Sequence, residues 1–338
     1  MPSISSHPCC ATPWLALLIC LCGLGALPSQ GCGESPRKRA QRAEASRKEV
    51  ERTPLPVRMA GTPSNEALLA RLGDILSKGL PALLVEREHL PGAEALRKLA
   101  SDHLDLALLS GMPAPELSRL LTSMGARVKV LTMGADVVAV LTNTTNRSSQ
   151  IDLDGLGRAL RGEASTWQDL GGDALPLVVY APPSSSDLSG LLRAILLGGA
   201  PLGQTVRQVE DVETQLESAR RTPGALAMVA LGRLGPGQAL PEAVKPLPVA
   251  SKPGIPGSLP TDRGAAARGD YPLRLPIVAV LRQGDDPVAR RLHLRVAGVP
   301  AAERSAWLGL APLPDSDHER IRRLWASEGP SGKRAAPR

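Results

Sequence analysis

Residues 134–143 read GADVVAVLTN, residues 153–172 read LDGLGRALRGEASTWQDLGG, and residues 175–188 read LPLVVYAPPSSSDL. The apolar run from Val137 to Leu141, closed by Thr142 and Asn143, predicts a buried strand entering a turn. Leu153, Leu156, Ala159 and Leu160 recur at helical spacing, and Gly162 stands where such a helix stops. A second strand, Leu177 to Tyr180, runs into a Pro-Pro-Ser-Ser-Ser loop and then into another helical pattern. Strand, helix, strand, polar loop, helix is an α/β unit. Its polar loop lies at the carboxyl end of a strand, where open α/β sheets bind ligands.

Upstream, Pro56–Ala60 reads as a short strand, followed by Gly61-Thr62-Pro63-Ser64-Asn65 and an apolar helical face of Leu68, Leu69, Leu72, Ile75 and Leu76. A Gly-Thr-Pro-Ser loop opening a helix offers N–H groups and hydroxyls to an anion. Capping of the helix by Ser64 or Thr62 is the alternative. Strands are also expected at Leu83–Val85, Leu104–Ser110 and Val128–Met133, with helices starting at Pro91 and Glu116. Downstream, strands are expected at Ala225–Leu231, Val244–Val249 and Leu275–Leu281. Helices are expected around Val212–Ala219, at Ala301–Leu308, and at Ile321–Trp325. Val288–Val296 reads as a helix or an extended arm, and residues 250–270, rich in Gly, Pro and Ser, as a long loop.

These pieces, in this order, resemble the phosphate-binding proteins that serve phosphate ABC transporters, over residues 55 to 313. The carriers are Val137–Asn143, Leu153–Gly162, Trp167–Gly171, Leu177–Tyr180 and Ser185–Asp187. Thr222-Pro-Gly-Ala-Leu-Ala-Met-Val, Tyr271-Pro-Leu-Arg-Leu-Pro and Gly309-Leu-Ala-Pro-Leu resemble that family's later segments. The resemblance implies a two-lobed α/β periplasmic-binding-protein fold of type II. Each lobe would be a mixed sheet flanked by helices, and the chain a divergent member. It places a discontinuous first lobe at 55–136 and 250–326 and a second lobe at 137–249.

The resemblance also implies an envelope solute-binding protein, not an enzyme, that holds phosphate or a related small oxyanion between its lobes for ABC import. Its partners would be that oxyanion and ABC permease subunits, and the chain would work as a monomer. Ligand candidates are Thr62 and Ser64 in the first loop, Ser110 at the end of its strand, and Ser184, Ser185, Ser186 and Asp187 in the second lobe's loop. The family's ligand loop carries an Arg beside Ser-Gly-Thr. Here Ala181-Pro182-Pro183 and Ser185-Ser186-Asp187 stand in those places, so the Arg is missing and a carboxylate is added. Arg193 lies about two helical turns beyond Ser186. Arg58, Arg274 and Arg282 are left as other sources of a cation. The alternative is a degenerate fold that lost its ligand and acts as an envelope scaffold or sensor partner.

Residues 1–32 differ from the rest. Trp14–Leu27 is apolar and shorter than a spanning helix, as in a secretory signal. All 5 cysteines, Cys9, Cys10, Cys20, Cys22 and Cys32, fall here, so no disulfide framework is expected. Leu27-Pro-Ser-Gln-Gly-Cys32 resembles a bacterial lipoprotein signal, with Ser29 where Leu is usual. That implies lipid attachment at Cys32 and a periplasmic protein anchored to a membrane. Residues 33–54 are rich in charge and read as a tether, and residues 327–338 as a disordered tail.

The net charge is +7 and aromatics are 2% of the chain, with Phe absent. Part of the basic excess sits in the tether and tail, and there are too few aromatics for a base-stacking platform, so nucleic-acid binding is not expected. His89, His103, His293 and His318 are scattered. No metal-ligand pair, cofactor loop or nucleophile–histidine spacing appears. Asp105 at the start of its strand reads as structural, and Trp167 and Trp307 as packing residues.

Overall fold

A computed structural model of the chain describes residues 55–79, 83–111, 115–234 and 239–326. The leader, Cys32, the tether and the carboxyl-terminal tail lie outside the described residues.

The first stretch alternates β1 (Leu55–Gly61), α1 (Glu66–Gly79), β2 (Leu83–His89), α2 (Gly92–Ala100), β3 (Leu106–Ser110) and α3 (Pro115–Met124), and then enters β4 (Val128–Asn143). Next come β5 (Ile151–Asp152), α4 (Leu153–Arg161), β6 (Val178–Ala181), α5 (Asp187–Leu196), β7 (Arg207–Gln208), α6 (Val212–Arg221), β8 (Ala225–Ala230), β9 (Val244–Leu247) and β10 (Val249–Ala250). The chain returns through α7 (Arg263–Arg268) and β11 (Arg274–Arg282). It closes with α8 (Pro287–Leu292), α9 (Ala301–Leu308) and α10 (Asp315–Ala326). Among the described residues a 9-stranded mixed sheet runs β2-β1-β3-β11-β4-β8-β6-β7, with β9 also on β4, and β5 pairs β10 separately.

The fold is two-lobed because β4 belongs to both halves. Its first half pairs antiparallel with β11, from Arg282 opposite Val128 to Arg274 opposite Val137. Its second half pairs with β8 on one side and β9 on the other. The sequence predicts two strands here, Val128–Met133 and Val137–Leu141. The structure joins them into one strand of 16 residues. Gly134 makes the join possible. It has φ +135, and the register with β11 slips beside it, between Ile277 and Val278. A Cβ at Gly134 would sit 2.8 Å from the Ser305 Cβ and 2.9 Å from the Ala311 carbonyl. Only glycine gives the strand both that angle and that room.

Strand β3 shows how the core is partitioned. Leu106 and Leu108 enter one apolar cluster, Ala107 and Leu109 another, on the opposite face. A strand buried on both faces has no polar alternation, which is why Leu104–Ser110 reads as a continuous apolar run. Helix α1 covers one face with Leu68, Leu69, Leu72 and Leu76, all buried. With no Phe, Trp167 and Trp325 are the largest fully buried side chains among the described residues. The Trp167 indole also donates to the Gly224 carbonyl at 2.9 Å, which satisfies its one polar atom.

Two expectations change. The loop expected over 250–270 contains α7, started by the Asp262 carboxylate accepting from Ala265 N and ended by Gly269 at φ +91. Three alanines in six residues supply the helix propensity that the flanking Gly and Pro obscured. Val288–Val296, left as helix or arm, is helical: α8 runs into a π-turn over His293–Ala297. Asp286 starts it, accepting from Val288 N and Ala289 N at 3.1 and 3.0 Å.

Candidate functional site: the cleft at the strand ends

Strands β1 and β3 are parallel, as are β6 and β8. The loops leaving all four carboxyl ends meet between the lobes. They carry Thr62 and Ser64 after β1, Ser110 at the end of β3, Ser185 to Asp187 after β6, and Arg233 after β8. Together they border a cleft of about 940 Å³, with Ser110 reached through Asp187. Each parallel pair puts its carboxyl ends on one side, and because the two pairs run in opposite directions those ends face each other, so the topology itself assembles the site.

A single oxygen gathers the first lobe's hydroxyls. Asp187 Oδ2 accepts from Thr62 Oγ1 at 2.9 Å, from Ser64 Oγ at 3.2 Å, and from Ser110 Oγ at 2.5 Å. Each is a charge-assisted bond of the kind that contributes about 1.5–3 kcal/mol. The carboxylate comes from the second lobe and sits in the first turn of α5, where the helix dipole favours negative charge. It does what a bound oxyanion would do: it accepts the donors of one lobe while being held by the other.

The backbone is shaped for this approach. Gly111, just past Ser110, has φ +80, and a Cβ there would lie 3.3 Å from the Asp187 carbonyl and 3.7 Å from the Asp187 Cβ. A side chain there would be strained by the positive φ and would crowd the Asp187 carbonyl by a few tenths of an ångström.

The serine loop divides. Ser185 and Ser186 line the cleft, and Ser186 caps α5, accepting from Ser189 N at 3.1 Å. Ser184 turns away; its N and Oγ both donate to Gln208 Oε1, at 2.8 and 2.9 Å. Ser184 is therefore not among the residues brought to the cleft.

The arginines left open by the sequence go elsewhere. Arg58 and Arg282 both hold the buried Asp105 carboxylate, with Arg58 Nε at 3.3 Å from Oδ2 and Arg282 Nη2 at 2.8 Å from Oδ1. Arg274 pairs with Asp317 at 2.8 Å. Arg193 binds the Gly199 and Ala200 carbonyls beyond its own helix. The cation that borders the cleft is Arg233, which sequence reasoning missed. Its signal was present: it lies three residues past the carboxyl end of a buried strand, the position that made the serine loop a candidate.

Arg233 sits between two acids. Burial lowers its pKa from the usual guanidinium range, while the charges of Asp136 and Asp187 pull it back up. Asp136, on β4 where the chain passes between lobes, is only 2% exposed. Burial pushes its carboxyl up to about 6, against the Gly232 N–H, which donates to Oδ1 at 2.6 Å, and the charge of Arg233. Asp136 Oδ2 is buried without a hydrogen-bond partner among the described residues.

Two lobes joined through a shared strand, with a ligand-sized cleft at the strand ends, define a two-lobed binding-protein fold. The chain belongs to the PBP superfamily, whose domain model matches residues 38–293. Its fold is similar to that of an ABC-type phosphate transport receptor from Vibrio cholerae, at 14% identity and a TM-score of 0.59, over 77% of this chain and 100% of that one. It is similar to a putative phosphate ABC transporter substrate-binding protein with bound phosphate from Clostridium perfringens, at 13% identity and 0.60, over 77% and 100%. It is also similar to PstS from Borrelia burgdorferi, at 16% identity and 0.51, over 74% and 96%. No curated protein sequence matches the chain.

Proposed function

We propose that the protein is a solute-binding protein of the bacterial envelope that closes its two lobes over a small oxyanion and presents it to an ABC permease. It is a binding protein, not an enzyme, works as a monomer in the periplasm, and is held to a membrane by lipid on Cys32. One observation carries the reading: hydroxyls from one lobe and a guanidinium from the other border a single cleft of about 940 Å³ at the strand ends. The phosphate transport proteins named above share the fold, which supports the oxyanion and the permease. Among the described residues no helix is long and apolar enough to cross a membrane.

The Asp187 carboxylate shapes the affinity for phosphate. It is fixed to Thr62, Ser64 and Ser110, so phosphate must displace it and then tolerate its charge. Weak phosphate binding is the expected outcome. The same contacts favour a second reading, a lobe pair held shut by its own carboxylate that serves as an envelope scaffold or sensor partner. Titration calorimetry with phosphate, sulfate and small carboxylates, on the native protein and on Asp187→Thr, separates the two. Binding of any of these anions, strengthened for phosphate by Asp187→Thr, supports solute capture. Silence from both proteins towards all of them overturns it and leaves the scaffold reading.

A further inference from the structure

The carboxyl of Asp136 sits where the chain passes from one lobe to the other. On β4, pairing with β11 ends at Val137 and pairing with β8 begins at Val138. From the second lobe, the Gly232 N–H donates to Asp136 Oδ1 at 2.6 Å. A Cβ at Gly232 would lie 2.8 Å from Oδ2, so the Gly232 backbone closes directly over that oxygen. From the first lobe, α1 packs against the turn at Leu231–Arg233, and its Arg71 lines one crevice with Asp136 and Gly232. Oδ2 is left with almost no surface and no hydrogen-bond partner among the described residues. Both lobes therefore contribute to keeping one oxygen of this carboxyl dry and unpaired.

Such a site disfavours a carboxylate far more than a carboxylic acid, because the charged form loses most when water is removed. The charges around it do not reverse that preference. Arg233, in the turn after β8, and Arg71, on α1, favour the charged form, and Arg263 at the start of α7 lines the same crevice. Asp187 also draws on the charge of Arg233. We propose that Asp136 is a proton-linked joint between the lobes, which close with its carboxyl protonated and open when it ionises. Swinging the lobes about β4 draws α1 off the Leu231–Arg233 turn and lets water reach Oδ2. In the closed form burial pushes the carboxyl up to about 6, and in the open, wetted form it returns towards the ordinary 3.8. Between those values the closed form binds more protons than the open one, so closure weakens as pH rises from about 4 to about 6. The inference rests on reading the lobes as parts that open and close, and it needs no bound solute.

The test is small-angle X-ray scattering of the full chain at pH 5 and pH 7.5, at constant ionic strength and without added solute. It compares the native protein, Asp136→Asn, Asp187→Ala and the two substitutions together. With Asp187→Ala releasing the contact to Thr62, Ser64 and Ser110, the radius of gyration is expected to rise between the two pH values. Adding Asp136→Asn is expected to abolish the rise and keep the smaller radius. The closed-to-open ratio should fall about tenfold over this range, because a carboxyl with a pKa of about 6 is mostly protonated at pH 5 and ionised at pH 7.5. Carbon-13 NMR of aspartate-labelled native protein reads the same carboxyl without a variant, its signal assigned by loss in Asp136→Asn, and it should titrate near 6. Thermal melts confirm that each variant folds. The same rise with and without Asp136→Asn overturns the joint and leaves lobe motion intact. A carboxyl that titrates near its ordinary value also overturns it. One radius at both pH values in all four proteins overturns the joint as well, and calorimetry with phosphate, sulfate and carboxylates then shows separately whether solute capture falls with it.

Discussion

Ser110 Oγ lies 2.5 Å from Asp187 Oδ2, and the two residues come from opposite lobes. With Thr62 and Ser64 on the same oxygen, this is a clasp across the cleft made by the protein's own anion. In a two-lobed binding protein the solute ordinarily supplies the contacts that favour closure. Here part of that interaction is built into the chain.

Removing the clasp is expected to open the molecule. In Asp187→Ala the three hydroxyls lose their shared acceptor, and the closed state loses charge-assisted bonds of about 1.5–3 kcal/mol each, less whatever water returns. Small-angle X-ray scattering without added solute should give a larger radius of gyration for Asp187→Ala than for the native protein. Equal radii would show that packing elsewhere holds the lobes together.

Asp136 gives a pH dependence with a definite sign. Its folded pKa, about 6, lies above the ordinary aspartate value of 3.8 because burial disfavours the charge. Between those values the folded state binds more protons than the unfolded chain, so stability falls as pH rises from about 4 to about 6. The loss by neutral pH is about 3 kcal/mol. Asp136→Asn is expected to raise the urea midpoint at pH 7.5 and to have little effect at pH 4. A variant weakened at pH 7.5 would mean that the attraction of Arg233 outweighs burial.

Asp105 is expected to be structural and costly to remove. Its side chain is 2% exposed and accepts from both Arg58 and Arg282. Asp105→Ala takes one partner from the Arg282 guanidinium, 14% exposed, which keeps Asp286 at 2.7 Å, so the cost is about 1–3 kcal/mol. Urea unfolding should show that loss, and solute affinity per molecule of folded protein should be unchanged. A selective loss of solute affinity with normal stability would assign Asp105 a part in the site.

Cys32→Ser tests the anchor. If Cys32 carries lipid, the variant should move from the membrane fraction to the soluble envelope fraction. Unchanged fractionation of Cys32→Ser would falsify the anchor.

Much of the fold was legible in the residues because local rules sufficed. Leu153 to Gly162 carries its helix and its stop: α4 ends at Arg161, and Gly162 takes φ +75. Leu104 to Ser110 reads as a buried strand, and Ala107 and Leu109 face one cluster while Leu106 and Leu108 face another. The long β4 was not legible, since Gly134 reads as an interruption until the pairing with β11 shows the strand slipping past it. Helix α7 was hidden in the same way, between Gly and Pro segments that look like loop.

For the site, the sequence by itself determined that hydroxyls and Asp187 follow strands, that the Arg implied by the resemblance is missing from its loop, and that a carboxylate stands where that loop's Thr is expected. It did so because each is a matter of residue type at a position along the chain. Only the tertiary structure decided that Asp187 closes on Thr62, Ser64 and Ser110, that Ser184 turns to Gln208, and that Arg233 borders the cleft. Thr62 and Asp187 are 125 residues apart. Their meeting depends on parallel strands delivering their carboxyl ends to one cleft, and on Gly111 letting the lobes come close enough to touch.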